Sequence, residues 1–205
     1  RELNPCRRHD GWEGEVIAHD GETTSSPPHM DIDPGMTASD FARERMLAVY
    51  TRMPVNPAMI WIFREYFNAL DANEGGNLVH CFAGKDRTGM SVALLHHALG
   101  VHWDDAMEDF LLTNTAGNMD ARIAAGSAAI RAKYGAISDQ TIRVLMGVDA
   151  RYLEAMREAV EAAHGSLDAF LEDVLGVTAD KREALLEVGA RSIDKGDGSG
   201  VVLHG

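Results

Sequence analysis

Long apolar runs are absent from this sequence. Nowhere among its 205 residues do about 20 consecutive apolar side chains occur, the length a helix needs to cross a bilayer, so no integral membrane segment is expected. The opening Arg1-Glu2-Leu3-Asn4-Pro5 has no apolar signal segment, which makes a cytoplasmic location the default expectation. Cysteine is nearly missing: Cys6 and Cys81 are too few for a disulfide framework, and a reducing setting keeps a thiol available for chemistry. Basic residues are also scarce. Lys and Arg number 19 against 32 Asp and Glu, and the net charge is -13 with no Lys/Arg cluster, which argues against nucleic acid and anionic membrane surfaces as partners. A small phosphate pocket remains compatible with that charge, because its attraction is short-range and screened from distant surface groups. Nine histidines are present, yet none has a partner at ligand spacing. His96 and His97 are adjacent and point to different sides of a helix, while His9, His19 and His29 lie in expected loops. No metal and no cofactor are expected.

The sequence does contain one concentrated stretch, Val79-His80-Cys81-Phe82-Ala83-Gly84-Lys85-Asp86-Arg87-Thr88-Gly89. Residues 76–82 open with turn formers and continue as a short apolar run, the pattern of a buried strand. Residues 88–99 carry apolar side chains at helical spacing and stop before Gly100, so a helix is expected there. The loop between them thus sits at a helix N-terminus, where unpaired N–H groups and the helix dipole favour an anion. The same setting favours the thiolate of Cys81, the nucleophilic form of cysteine. Arg87 offers a planar fork for two phosphoryl oxygens and a permanent charge for the transition state. Gly84 and Gly89 are expected to let the backbone curl and approach a ligand. Phosphoryl transfer to Cys81 is the implied reaction, followed by hydrolysis of the thiophosphate. Thr88 is placed to donate to the sulfur as it departs in that second step.

His80-Cys81-x5-Arg87-Thr88-Gly89 resembles the signature loop of the cysteine-dependent protein tyrosine phosphatase superfamily, in the version of bacterial tyrosine and lipid phosphatases of the mycobacterial protein tyrosine phosphatase B type. Gly147-Val148-Asp149, Tyr152-Leu153, Ala155, Gly165-Ser166, Phe170-Leu171 and Leu175-Gly176-Val177-Thr178 are similar to the helical C-terminal part of that family, so the likeness runs over residues 55–190. The resemblance implies an α/β fold, a central mostly parallel sheet flanked by many helices. It implies Cys81 as nucleophile and a phosphate cradle of Phe82, Ala83, Gly84, Lys85, Asp86, Arg87 and Thr88. It further implies phosphotyrosine proteins as substrates, and phosphoinositides through the extra charge of Lys85. Export by routes without a recognisable signal also occurs among such proteins. Asp86 inside the loop is the preferred general acid, with Asp31 or Asp33 upstream as the runner-up; a solvated Asp86 that only orients Arg87, and an exposed Lys85, are the plainer readings. His80 is read as orienting the loop by a hydrogen bond. Inorganic phosphate or another oxyanion is the expected small ligand.

The rest of the chain reads as helices. Residues 1–35 are polar, broken by Pro5, Pro27, Pro28 and Pro34, with one short candidate strand at 15–19. Strands that the family places before this point are expected to be missing from the chain. Thr37-x-x-Asp40 resembles a capping box before a helix whose core side would carry Phe41, Met46, Leu47 and Tyr50. That helix is either ordinary core packing or a lid over the pocket. A second helix starts at Pro57 with Ile60, Phe63, Phe67 and Leu70 inward. Further helices are expected at 104–113, 120–134, 139–146, 150–163, 167–175 and 178–188. Residues 1–190 are expected to form one phosphatase-like domain and 191–205 a flexible glycine-rich tail. An alternative function is a catalytically inactive phosphate-binding module or fragment, and the least favoured is a rhodanese-like sulfur transferase or arsenate reductase, which use similar cysteine loops.

Overall fold

A computed structural model describes residue 17 and residues 39–72, 77–81, 83–116, 119–134 and 138–194. In chain order these form α1 (Ser39–Arg52), α2 (Pro57–Ala72), α3 (Asp86–Ala98), α4 (Trp103–Leu111), a 3-10 turn (Leu112–Asn114), α5 (Met119–Tyr134), α6 (Asp139–Met146), α7 (Ala150–His164), α8 (Leu167–Ala169) continued by a π-helical turn (Phe170–Val174), and α9 (Ala179–Asp194). The helices begin and end where local chemistry dictates. The Asn56 side chain accepts from the Ala58 N–H at 2.9 Å ahead of α2, and Ser138, Asp149 and Ser166 do the same for α6, α7 and α8. Gly100 and Gly165, at φ 75° and 90°, close α3 and α7 in the left-handed region that a side chain disfavours.

α1 packs chiefly on α7 and α6, α3 on α4, and α2 on α9. Tyr50, Phe63, Phe67, Met90, Leu94, Leu153, Met156 and Phe170 lie in the shared core. The buried stripe of α1 is Ala42, Met46 and Tyr50, at every fourth residue. Phe41, expected inside, is exposed, because one residue turns a helix by about 100° and takes it off that stripe. On α2, Met59 and Tyr66 join Phe63, Phe67 and Leu70 in the core, and Ile60 is only partly buried. The region expected as one helix over 167–175 loosens after Ala169, where the Leu175 N–H reaches back five residues to the Phe170 carbonyl at 3.0 Å. α9 runs on to Asp194, past the expected end at 188, since Gly189 weakens a helix without stopping it. The rest of the expected tail, 195–205, lies outside the described residues, as does the candidate strand at 15–19 apart from Ile17.

No strand occurs among the described residues, so the expected central sheet is not seen in them. A strand is defined by its ladder to a neighbour, and residues 77–81 have none among the described residues. Their exposure nevertheless alternates: Asn77, Val79 and Cys81 are half-buried, Leu78 and His80 open. That period of two belongs to an extended chain with one face on the helices. Leu78 is 70% exposed on the other face.

Candidate active site

Residues 77–81 lead directly into α3. Gly84, at φ 66°, makes the turn that a side chain would resist, as expected. Gly89 serves a different purpose from the one expected. A Cβ there would come within 2.8 Å of two ring carbons of Phe110, so its role is close packing of α3 on α4 and not a backbone curl. α3 starts at Asp86, two residues earlier than the apolar pattern indicated, which puts Asp86, Arg87 and Thr88 in its first turn.

Cys81 is a free, half-buried thiol facing that turn. Burial pushes the thiol up, and against burial act the Thr88 hydroxyl and N–H, the Arg87 guanidinium and the Lys85 N–H. The balance holds Cys81 below its ordinary value. Thr88 Oγ1 is buried and meets no described partner at full hydrogen-bond geometry, which leaves its proton available to the sulfur on which it acts. The Cys81 carbonyl lies 3.3 Å from His80 Nδ1; a carbonyl only accepts, so the Nδ1–H tautomer makes this bond, the orienting contact anticipated for His80. Because the thiol is lowered, the fraction present as thiolate rises at a pH below that of a free cysteine. Alkylation by iodoacetamide is therefore expected to show a midpoint below about 8.5, and inorganic phosphate is expected to slow it. A midpoint at or above that of free cysteine contradicts the activated thiol.

Asp86 and Lys85 are where structure and sequence part. The sequence leads one to expect Lys85 as charge beside the phosphate or as an exposed residue, and Asp86 as the acid or as a solvated carboxylate. Both are buried, at 1% and 6% exposure. Lys85 Nζ donates to Asp86 Oδ1 at 2.8 Å and to the Gly147 carbonyl at 3.3 Å, and the Tyr50 hydroxyl donates to the same Oδ1 at 2.8 Å. The cause is packing: α1 and the turn between α6 and α7 close over the first turn of α3 and remove both side chains from water. What Lys85 offers the sulfur is its backbone N–H. Tyr50 and Gly147 belong to this network and were missed, since 36 and 62 residues separate them from their partners.

The remaining cradle residues are placed as follows. Ala83 and Gly84 are half-buried in the loop, Arg87 is half-buried with its charge felt at Cys81, and Phe82, like Asp31 and Asp33, lies outside the described residues. An open cavity of about 240 Å³ lined by Arg43, Asn114, Arg143, Gly147, Asp149 and Tyr152 includes neither Cys81 nor Arg87. Among the described residues no group of three His, Cys, Asp or Glu side chains could hold a metal ion, and no helix is long and apolar enough to cross a membrane.

Residues 6–188 match the tyrosine phosphatase family. A Cupriavidus necator protein whose name places it among the tyrosine-protein phosphatases is 37% identical over 135 residues, 64% of this chain and 46% of that protein. The triple specificity protein phosphatase PtpB of Mycobacterium tuberculosis is 35% identical over 106 residues, 47% of this chain and 37% of that protein. The chain therefore spans less than half the length of these two relatives.

Proposed function

Starting from a chain that belongs to the tyrosine phosphatase family, we propose that it hydrolyses phosphotyrosine in proteins through a phosphoryl group carried on Cys81. The observation that carries this reading is the setting of Cys81, whose thiol meets the Lys85 and Thr88 N–H groups, the Thr88 hydroxyl and the charge of Arg87 at the start of α3. A phosphate monoester would bring its nonbridging oxygens to the loop amides and the Arg87 fork. Sγ attacks phosphorus, an S–P bond forms, and the P–O bond to tyrosine breaks. The departing phenolate oxygen takes a proton, which we assign to Asp86, the carboxyl nearest the loop in the chain. Water then attacks phosphorus and gives its proton back to Asp86. The S–P bond breaks, Thr88 stabilises the returning thiolate, and inorganic phosphate leaves.

Phosphotyrosine is preferred to phosphoinositides because the Lys85 ammonium, the charge that would favour the latter, is spoken for by Asp86 and Gly147. The discriminating experiment measures phosphate release from a phosphotyrosine peptide, a phosphoserine peptide and a soluble phosphoinositide. Hydrolysis of the first well above the others is expected. Binding of inorganic phosphate without release from any of them contradicts the reading and favours a phosphate-binding module.

A further inference from the structure

We propose that Tyr50 is a positioning residue for the reaction: its hydroxyl, delivered from α1, fixes the Asp86 carboxyl where it meets the leaving oxygen of an ester held in the loop. This rests on the acid role assigned to Asp86 above. The stripe that α1 buries, Ala42, Met46 and Tyr50, carries a single hydroxyl, and that hydroxyl is aimed at Asp86 Oδ1 at 2.8 Å. Phenylalanine would fill the same space, so packing gives no reason for the oxygen. The ring has little freedom, since Tyr50 is fully buried, edge-on to Phe110 at 6.2 Å between centroids and tilted against Tyr152 at 5.2 Å. Its proton is equally fixed: burial pushes the phenol well above its ordinary value, so it stays protonated and donates to Oδ1.

Oδ1 is held from a second direction by Lys85 Nζ, itself anchored on the Gly147 carbonyl. That anchor is rigid. Asn114 bonds the N–H and carbonyl of Val148 at 2.9 and 3.0 Å, and a Cβ on Gly147 would come within 2.9 Å of Asn114 Oδ1 and of the Arg143 carbonyl. Asp86 is therefore set between α1 on one side and the α6–α7 turn on the other. A carboxyl that must meet one oxygen at hydrogen-bond distance gains from this, because small misplacements slow proton transfer steeply.

The test compares kcat for phenyl phosphate, whose leaving oxygen needs a proton, with kcat for dinitrophenyl phosphate, whose leaving oxygen does not. For Tyr50→Phe a fall of about tenfold on the first and less than about twofold on the second is expected, with KM unchanged, a fraction of the about 10²–10⁴ that a general acid contributes. In an Asp86→Asn background, Tyr50→Phe is expected to add no further loss. The ratio of the two rates does not depend on how much of the variant is folded, so a destabilised variant still reports. Equal falls on both esters, or additive losses in the double variant, overturn the role of Tyr50. Failure of the underlying reading looks different: an Asp86→Asn variant that keeps wild-type rates on both esters removes the acid, and a wild type that does not turn over, or a Cys81→Ser variant that does, removes the reaction itself, and either takes the proposal with it.

Discussion

Cys81→Ser is expected to leave a protein that binds inorganic phosphate and hydrolyses no aryl phosphate, with kcat reduced by at least about 10⁴-fold, the scale seen when a nucleophile is removed. In the proposed reaction the loop would activate Cys81 by stabilising the anion already formed, through two N–H groups, a hydroxyl and a guanidinium. That is enough for a thiol, whose ordinary value of about 8.5 lies close above neutrality, and far too little for an alcohol. The neighbouring His80 is not placed as a base for it. His80 is exposed and its Nδ1–H is used on the Cys81 carbonyl. Stability should change little, because Cys81 is only half-buried and lies outside the hydrophobic core cluster. Residual activity within about tenfold of wild type would mean that another residue carries the phosphoryl group.

Arg87→Lys is expected to lower kcat/KM by about 10²–10³-fold while keeping the formal charge. Lysine replaces a planar fork with a point charge, so it loses the paired contact to two phosphoryl oxygens that grows as charge spreads in the transition state. It also moves the cation that helps hold the thiol low. The loss should therefore appear in kcat as well as in phosphate affinity. Retention of kcat with only a weakened KM would show that Arg87 binds the ground state and does no more.

The loop was legible because its chemistry is compressed into residues 79–89, where a thiol, an arginine, a left-handed glycine and a helix start are neighbours in sequence. The same locality explains which helix limits agreed, since caps such as Ser138 and Asp149 and closures such as Gly100 act within four residues. What was not legible depends on tertiary packing. Nothing near Lys85 says that its stem will be buried and its ammonium turned to Gly147, and nothing near Tyr50 says that its hydroxyl is polar cargo on a core stripe. At Gly89 the cause is a neighbour across space, Phe110, which no local pattern reveals. Phe41 is exposed although its spacing fits the core, because apolar spacing tolerates two nearby faces until the partner helices choose one. The strand before Cys81 keeps its alternation, yet a ladder needs a second strand, and none occurs among the described residues.

The most direct measurement is to mix wild-type protein with an excess of aryl phosphate, quench in acid during turnover, and weigh the peptides. The account predicts that the peptide containing Cys81 carries the added mass of one phosphoryl group, and that the adduct is absent from Cys81→Ser. Steady turnover with Cys81 unmodified, or with the phosphoryl group on a different residue, would contradict it.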